Sequence, residues 1–407
     1  MKRRLLMGAL MTMALTGIGL SACATFGKRP SGERRARMER SPQWKDGRFV
    51  NPQPIVNDTW GIVRDVGNGS EHRVPTLPVP TEQVDPRRFD APPPSGLRVT
   101  WLGHSTLLVE LDGRRVLFDP VWGERSSPFS SMGPKRWYPP LVALDRLPRV
   151  DAVVISHDHF DHLDMETIQA IKGWDTVFVA PLGVGAHLAH WGVPEARIVE
   201  LDWWDRHSLG GVELVATPAR HASGRWPLSG MDRTLWAGYA LLGPSHRVFY
   251  GGDTGLFPGL TEIGERLGPF DLAMLEAGAY GRHWPDWHLG PEQAVLASRW
   301  VRAEALMPVH WGLFNLAHHG WTEPAERILA AAAKAGLPVT LPKPGQSIEP
   351  AALPPLTRWW PALPWKTAEE DPIVSSQVTG LPETTSGLTP SDHGEPPGPA
   401  PRDRHGG

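Results

Sequence analysis

The chain has 407 residues, 41 Lys plus Arg against 44 Asp plus Glu, and a single cysteine. A formal net charge of −3 gives no electrostatic footing for a nucleic-acid partner, and one cysteine excludes an intramolecular disulfide and argues against a thiolate zinc ligand. The length suffices for one large α/β domain with extensions at both ends.

Lys2-Arg3-Arg4 is a basic start, Leu5 to Leu20 is an apolar run too short for a comfortable membrane span, and Leu20-Ser21-Ala22-Cys23 looks like a lipobox. Together they predict a bacterial lipoprotein signal over residues 1–23, cleaved before Cys23, which then carries the lipid; an uncleaved anchor helix is the alternative. The expected location is the cell envelope, lipid-anchored and facing the periplasm at the inner or outer membrane. Residues 24–94 are expected to form a tether and N-terminal extension. Its first part, with Arg29, Arg34, Arg35, Arg37 and Arg40, suits anionic headgroups or a solvated tether.

Farther on, Leu97 to Leu102 and Thr106 to Leu111 read as strands, and Asp112-Gly113 is a hairpin turn leading into Arg115-Val116-Leu117-Phe118. Val153-Val154-Ile155-Ser156 is a buried-type strand. Asp164 caps a helix running through Ile168 to Ile171. Thr176 to Ala180 is a strand, Gly183 to Trp191 a short helix, and Ile198 to Leu201 a strand. Pro291 and Pro324 each open a helix, and Val339-Thr340-Leu341 is expected as the final strand. The order predicts two sheets packed face to face with helices outside, over residues 95–350. Residues 351–407 form a C-terminal extension, and from about Thr367 the Pro, Gly, Ser and Thr content predicts disorder.

The chemistry concentrates in His157-Asp158-His159-Phe160-Asp161-His162, straight after a strand, where α/β proteins place their sites. Imidazoles with carboxylates suit zinc, manganese or iron. If the segment is extended, His157, His159 and Asp161 share one side and His162 turns toward a second ion. Three further ligand types follow apolar runs: His221, Asp253 in Gly251-Gly252-Asp253-Thr254-Gly255, and His310. Taken singly, each reads as structural; together they read as a site.

These residues in this order resemble the metallo-β-lactamase superfamily. Trp101-Leu102-Gly103-His104-Ser105-Thr106, Asp119-Pro120-Val121-Trp122, Met132-Gly133-Pro134-Lys135-Arg136, Leu201-Asp202-Trp203-Trp204 and Gly278-Ala279-Tyr280 resemble its N-acylphosphatidylethanolamine-hydrolysing phospholipase D branch. The resemblance covers roughly residues 50 to 350 and implies an α/β, four-layer αββα sandwich, the metallo-β-lactamase fold. It also implies two zinc ions, one on His157, His159 and His221, the other on Asp161, His162 and His310, with Asp253 bridging. Asp119 becomes an acceptor that fixes a ligand imidazole. Glu276 departs from the branch, where an apolar residue is expected.

The implied activity is phosphodiester hydrolysis of N-acylphosphatidylethanolamine or a related phospholipid, through hydroxide held by the ions and oriented by Asp253. There is no Gly-x-Ser-x-Gly nucleophile. His288 reads as a phosphate contact or proton donor, or as a loop histidine; His104 reads as a support to the ligands or as a strand-end hydrogen bond. The same site acting on a carbonyl, as a lactonase or amide hydrolase, is the nearest alternative. A lipid-anchored binding protein with a non-catalytic metal is the other. Of the 19 tryptophans, Trp203, Trp204, Trp226, Trp284, Trp287, Trp311 and Trp321 fall in the presumed site loops, where they either meet a bilayer or pack in the core.

Overall fold

The structure, a computed structural model, describes residues 24–65, 68–225 and 231–376. Residues 1–23, on which the expected lipoprotein signal and Cys23 fall, and Trp226 lie outside the described residues. The chain begins with α1 (Gly32–Glu39), a ribbon of β1 (Trp44–Lys45) and β2 (Arg48–Phe49), and α2 (Thr59–Arg64). A first sheet takes β3 (Leu97–Trp101), β4 (Leu107–Leu111), β5 (Arg114–Phe118), β6 (Ala152–Val154), β7 (Val177–Pro181) and β8 (Ile198–Leu201). A second takes β9 (Arg206–Ser208), β10 (Glu213–Thr217), β11 (Gly238–Leu242), β12 (Arg247–Tyr250), β13 (Leu272–Glu276) and β14 (Leu306–Val309). β15 (Ser347–Ile348) returns to the first sheet, beside β3.

Each sheet is antiparallel at one end and parallel at the other: β5 to β8 run parallel in the first, β12 to β14 in the second. The second sheet is buried on both faces, and its alternation is legible residue by residue. Leu214, Ala216, Tyr239, Leu241, Val248, Tyr250, Leu272 and Met274 join the core shared with Val116, Leu117 and Phe118 of the first sheet. The intervening Val215, Ala240, Phe249, Ala273 and Leu275 pack in a separate apolar cluster with the helices. Those helices are α5 (Gly259–Leu267), α6 (Pro291–Trp300) and α7 (Glu323–Ala335). On the first sheet, α3 (Met165–Ile171) buries Ile168 and Ile171, and α4 (Gly185–His190) lies beside β8. This is the αββα sandwich that the order of strands and helices predicts.

Local signals explain several elements. Asp112 and Gly113 take φ of 47° and 80°, the left-handed pair that a two-residue hairpin requires, and they join β4 to β5. Asp164 caps α3 by accepting from the backbone N–H groups of Glu166 and Thr167. One expected element is absent: Val339 makes only a single bridge to Leu306, and the closing strand is Ser347–Ile348 instead. Thr340 and Leu341 of this run are buried, but the pairing is confined to that one bridge.

Both described extensions are docked onto the domain. The Ala24 carbonyl accepts from Trp191 Nε1, and the Thr25 carbonyl accepts from Nε and Nη2 of Arg225 at 2.9 and 2.8 Å. Arg34 meets Glu200 and Glu195, both at 2.8 Å, and Arg37 meets Asp205 at 3.3 Å. The basic run from residue 24 on is therefore no free tether: acidic groups of the domain engage it. At the other end, the disorder expected from Thr367 does not hold through Ser376. Ile373 is buried, Gln293 Nε2 donates to its carbonyl at 3.1 Å, and Arg327 Nη1 donates to the Asp371 carbonyl at 3.1 Å. One apolar side chain and a few carbonyls suffice to anchor a stretch that composition alone marks as unstructured. Residues 377–407 lie outside the described residues. Ile373→Ala should cost about 2–5 kcal/mol, the range for deleting a buried branched side chain, read as a shift in the urea midpoint at unchanged slope.

Candidate metal centre

The polar residues gather where strands end. Asp119 follows β5, His157 to His162 follow β6, His221 follows β10, Asp253 follows β12, and His310 follows β14. The crevice beyond strand ends is where such sheets place their chemistry. After Ser156 the chain does not stay extended, as the alternation of His157, His159 and Asp161 suggests. His162 and Leu163 both donate their N–H to the His159 carbonyl, at 3.1 and 2.8 Å, so the backbone turns there. That turn separates the motif into two groups. One contains His157, His159, His221 and Asp253; the other contains His104, Asp161, His162 and His310. Within each group, one potential ligand atom per residue lies within 4.8 Å of the others. The sequence-expected residues are thus brought together, with His104 added.

Asp253 lies at the centre. Its Oδ2 is 3.1 Å from Nε2 of both His162 and His310, 3.7 Å from His221, and 3.8 Å from His157 and from His288 Nδ1. Gly252 takes φ of +56°, and a Cβ there would meet Ser156 Cβ at 2.8 Å and the Ala237 carbonyl at 3.0 Å. The glycine next to Asp253 therefore serves a close crossing of the two sheets' loops rather than approach to an ion.

Asp119 is the anchor under the centre. Completely buried, it accepts from Ser156 N at 2.7 Å, Ser156 Oγ at 2.6 Å and Tyr250 Oη at 2.5 Å, and lies 2.7 Å from His162 Nδ1. The last contact directs His162 Nε2 at Asp253. In a similar way His221 Nδ1 bonds to the Trp287 carbonyl at 2.8 Å, and Asn51 brackets the His221 backbone with a 2.9 Å acceptor and a 2.6 Å donor contact. His104 Nε2 is 2.9 Å from Asp161 Oδ2, and its carbonyl accepts from the His310 N–H at 3.0 Å. Three of the eight non-glycine residues with positive φ among the described residues are His104, Asp119 and His310. Backbone strain of this kind persists only where surrounding structure enforces it.

The electrostatics suit a cation. Burial and neighbouring imidazoles hold His157 and His221 well below the ordinary imidazole range, in the neutral form that ligates metal. Burial alone would do the same to His162 and His310, but the Asp253 and Asp161 carboxylates outweigh it and raise both. Burial also opposes ionisation of Asp253, yet His162 and His310 hold it well below the usual carboxylate range. The same carboxylates that raise these imidazoles would attract a divalent ion. His162 Nε2 and Asp253 Oδ1 are buried without a hydrogen-bond partner, which is costly unless a ligand completes them. Donor chemistry and these orphaned atoms both fit bound metal.

Sequence reading misses four contributors. Asn51, Ser156 and Tyr250 are ordinary residue types whose roles depend on distant partners. Glu276, noted only as a departure, joins a third candidate group with Asp253, His288 and His310. Tryptophan contributes mainly to the core: Trp203, Trp284, Trp311 and Trp321 are buried, and Trp284 Nε1 donates to the Ala279 carbonyl. Trp204 and Trp287 are half-buried. A bilayer-facing Trp284 is thereby corrected, since its indole is spent on internal packing and that carbonyl.

Comparison with known proteins agrees with the geometry. A family model described as a β-lactamase superfamily domain matches residues 114–311. An uncharacterized protein of Mycobacterium tuberculosis is 48% identical over 336 residues, 80% of this chain and 89% of that protein. N-acyl-phosphatidylethanolamine-hydrolyzing phospholipase D 1 of Caenorhabditis elegans is 36% identical over 294 residues, 66% of this chain and 81% of that enzyme. The isothiocyanate hydrolase from Delia radicum gut bacteria shares the fold, with a TM-score of 0.50 at 20% identity over 62% of this chain and 98% of that one. Fold and site together define a metal-dependent hydrolase. The chain belongs to the metallo-β-lactamase superfamily, on its N-acylphosphatidylethanolamine-hydrolysing phospholipase D-like branch.

Stripping metal with a chelator should lower the melting temperature, and adding a divalent transition metal should restore it. Ligand at about 1,000 times its dissociation constant stabilises by roughly 4 kcal/mol; an unchanged melting curve after verified metal removal would speak against a metal centre here.

Proposed function

We propose that the protein is a dinuclear zinc phosphodiesterase of the phospholipase D type, acting on N-acylphosphatidylethanolamine or a related phospholipid. The observation that carries this reading is the joint one: an Asp253 carboxylate set among five imidazoles, in a chain 36% identical to a named phospholipase of that type. His157, His159, His221 and Asp253 would hold one ion; Asp161, His162 and His310, with Asp253 Oδ2 3.1 Å from the last two, would hold the other. When bound, such a pair makes a water acidic near neutral pH and offers positive charge to the oxygens of a phosphoryl group.

The chain's own residues then set the geometry. Asp253 stands between the two groups and accepts a hydrogen bond from the attacking water, orienting it. Asp119, held by Ser156 and Tyr250, keeps His162 from rotating. His288, half-buried beside His221 and His310, would contact a phosphate oxygen or the leaving oxygen. The lipobox-like Leu20-Ser21-Ala22-Cys23 supports a lipid anchor at Cys23 and a place in the cell envelope, where a phospholipid substrate is at hand. Among the described residues no helix is long and apolar enough to cross a membrane.

Two measurements test the reading. A panel of N-acylphosphatidylethanolamine, simple phosphodiesters, lactones and β-lactams should give turnover on the diesters; turnover on a lactone alone would assign the site to carbonyl chemistry, and bound metal without any turnover would leave a binding protein. Asp253→Asn should release at least one ion and abolish nearly all turnover, while Asp119→Ala should weaken metal affinity by roughly 10–100-fold. Full activity with both ions retained in Asp253→Asn would refute the assignment.

A further inference from the structure

Glu276 and His288 are not needed to complete the two ligand groups assigned above, yet they are joined at the edge of the centre. Glu276 ends β13, the strand between those that deliver Asp253 and His310. It is completely buried, and burial pushes its carboxyl above the usual range despite the nearby His288. Both its oxygens are engaged. Oε1 accepts from the Thr254 N–H at 2.5 Å, directly after Asp253, and Oε2 lies 2.5 Å from His288 Nδ1. A buried carboxyl group is expensive unless its lone pairs are satisfied, so these two contacts fix each other.

The consequence falls on His288. Its ring stacks against His310 at 5.4 Å between centroids and meets His221 edge-on at 5.1 Å, so packing and the Nδ1 contact together leave it one orientation. Of the imidazoles in the centre, only His159 and His288 are not fully buried, and the His288 side chain is 14% exposed. With Nδ1 held by Glu276 at 2.5 Å, Nε2 is the nitrogen left for a substrate. An imidazole's tautomer is set by the bond its other nitrogen makes.

We propose that Glu276 is a positioning residue that fixes the ring plane and tautomer of His288, so that Nε2 rather than Nδ1 meets the substrate's phosphoryl group. The proposal rests on the phosphodiesterase reading for its kinetic part only. It departs from a second possibility that the same cluster permits, namely direct metal binding by Glu276 and His288. The observed geometry favours positioning, because each carboxyl oxygen already has a nitrogen partner, Thr254 N and His288 Nδ1.

The test uses the full chain, its Glu276→Gln and His288→Ala variants, and the double variant. Long-range proton–nitrogen spectra of histidine-labelled protein should show a His288 proton on Nδ1 in the parent chain, lost or moved to Nε2 in Glu276→Gln, whose amide can donate to that nitrogen. Metal content should be unchanged in all four proteins. On the diester that the parent hydrolyses, Glu276→Gln should lose about 10–100-fold in kcat/KM, the usual size for an outer-shell partner. In the His288→Ala background the same change should cost nothing further, since the effect passes through the ring. Loss of metal from Glu276→Gln would make it a ligand and overturn the proposal; so would multiplicative losses in the double variant, or a parent spectrum with His288 protonated on Nε2 alone. A parent chain inactive on every diester defeats the phosphodiesterase reading, while the tautomer spectrum and metal content still decide the Glu276–His288 pairing.

Discussion

Five imidazoles crowd one buried carboxylate, and that arrangement dictates much else. Asp253 Oδ2 has ring nitrogens of His162 and His310 at 3.1 Å and three more within 3.8 Å. Buried groups of this kind do not hold together by themselves: desolvation disfavours charge on each, and like-charged neighbours disfavour it further. Something rigid has to impose the crowding. The two sheets supply that rigidity, because the residues at the centre are placed by the ends of strands whose other faces are sealed in apolar packing.

The support is unequal around the centre. Beneath His162 lies a closed network of Asp119, Ser156 and Tyr250, which joins β5, the β6 end and β12 across both sheets. His221 is instead braced by Asn51 from the N-terminal extension and by the Trp287 carbonyl. The extension is thereby part of the site's architecture. Arg220, beside His221, is drawn into the same region through its 3.0 Å ion pair with buried Asp286, whose carboxylate also accepts from Val56 N and from Ser376 N. Segments from both ends of the chain meet behind one metal-facing loop.

Legibility in the sequence followed range. Residues that act through local pattern were readable: apolar runs marked the strands expected over Leu97 to Leu102 and Ile198 to Leu201, which form as Leu97–Trp101 and Ile198–Leu201, Asp164 announced its cap, and His157 to His162 announced the centre. Signals that act through distant partners were not. Thr367 to Ser376 looks unstructured by composition, yet Ile373 and a few carbonyls dock it. Val339 to Leu341 looks like a strand, yet it makes a single bridge. Trp284 looks like an interfacial residue, yet it is enclosed.

The sequence by itself determined the kind of chemistry, since the donor types and their order after apolar runs are properties of the chain. It also pointed to the layered fold, because the apolar runs read as strands and the Pro-started helices depend on neighbours a few residues away. Only the tertiary structure decided which donors share a centre, that a turn at His159 divides the motif, and that Glu276 grips His288. Those outcomes depend on contacts between residues far apart in the chain, whose geometry is fixed only when the two sheets close on each other.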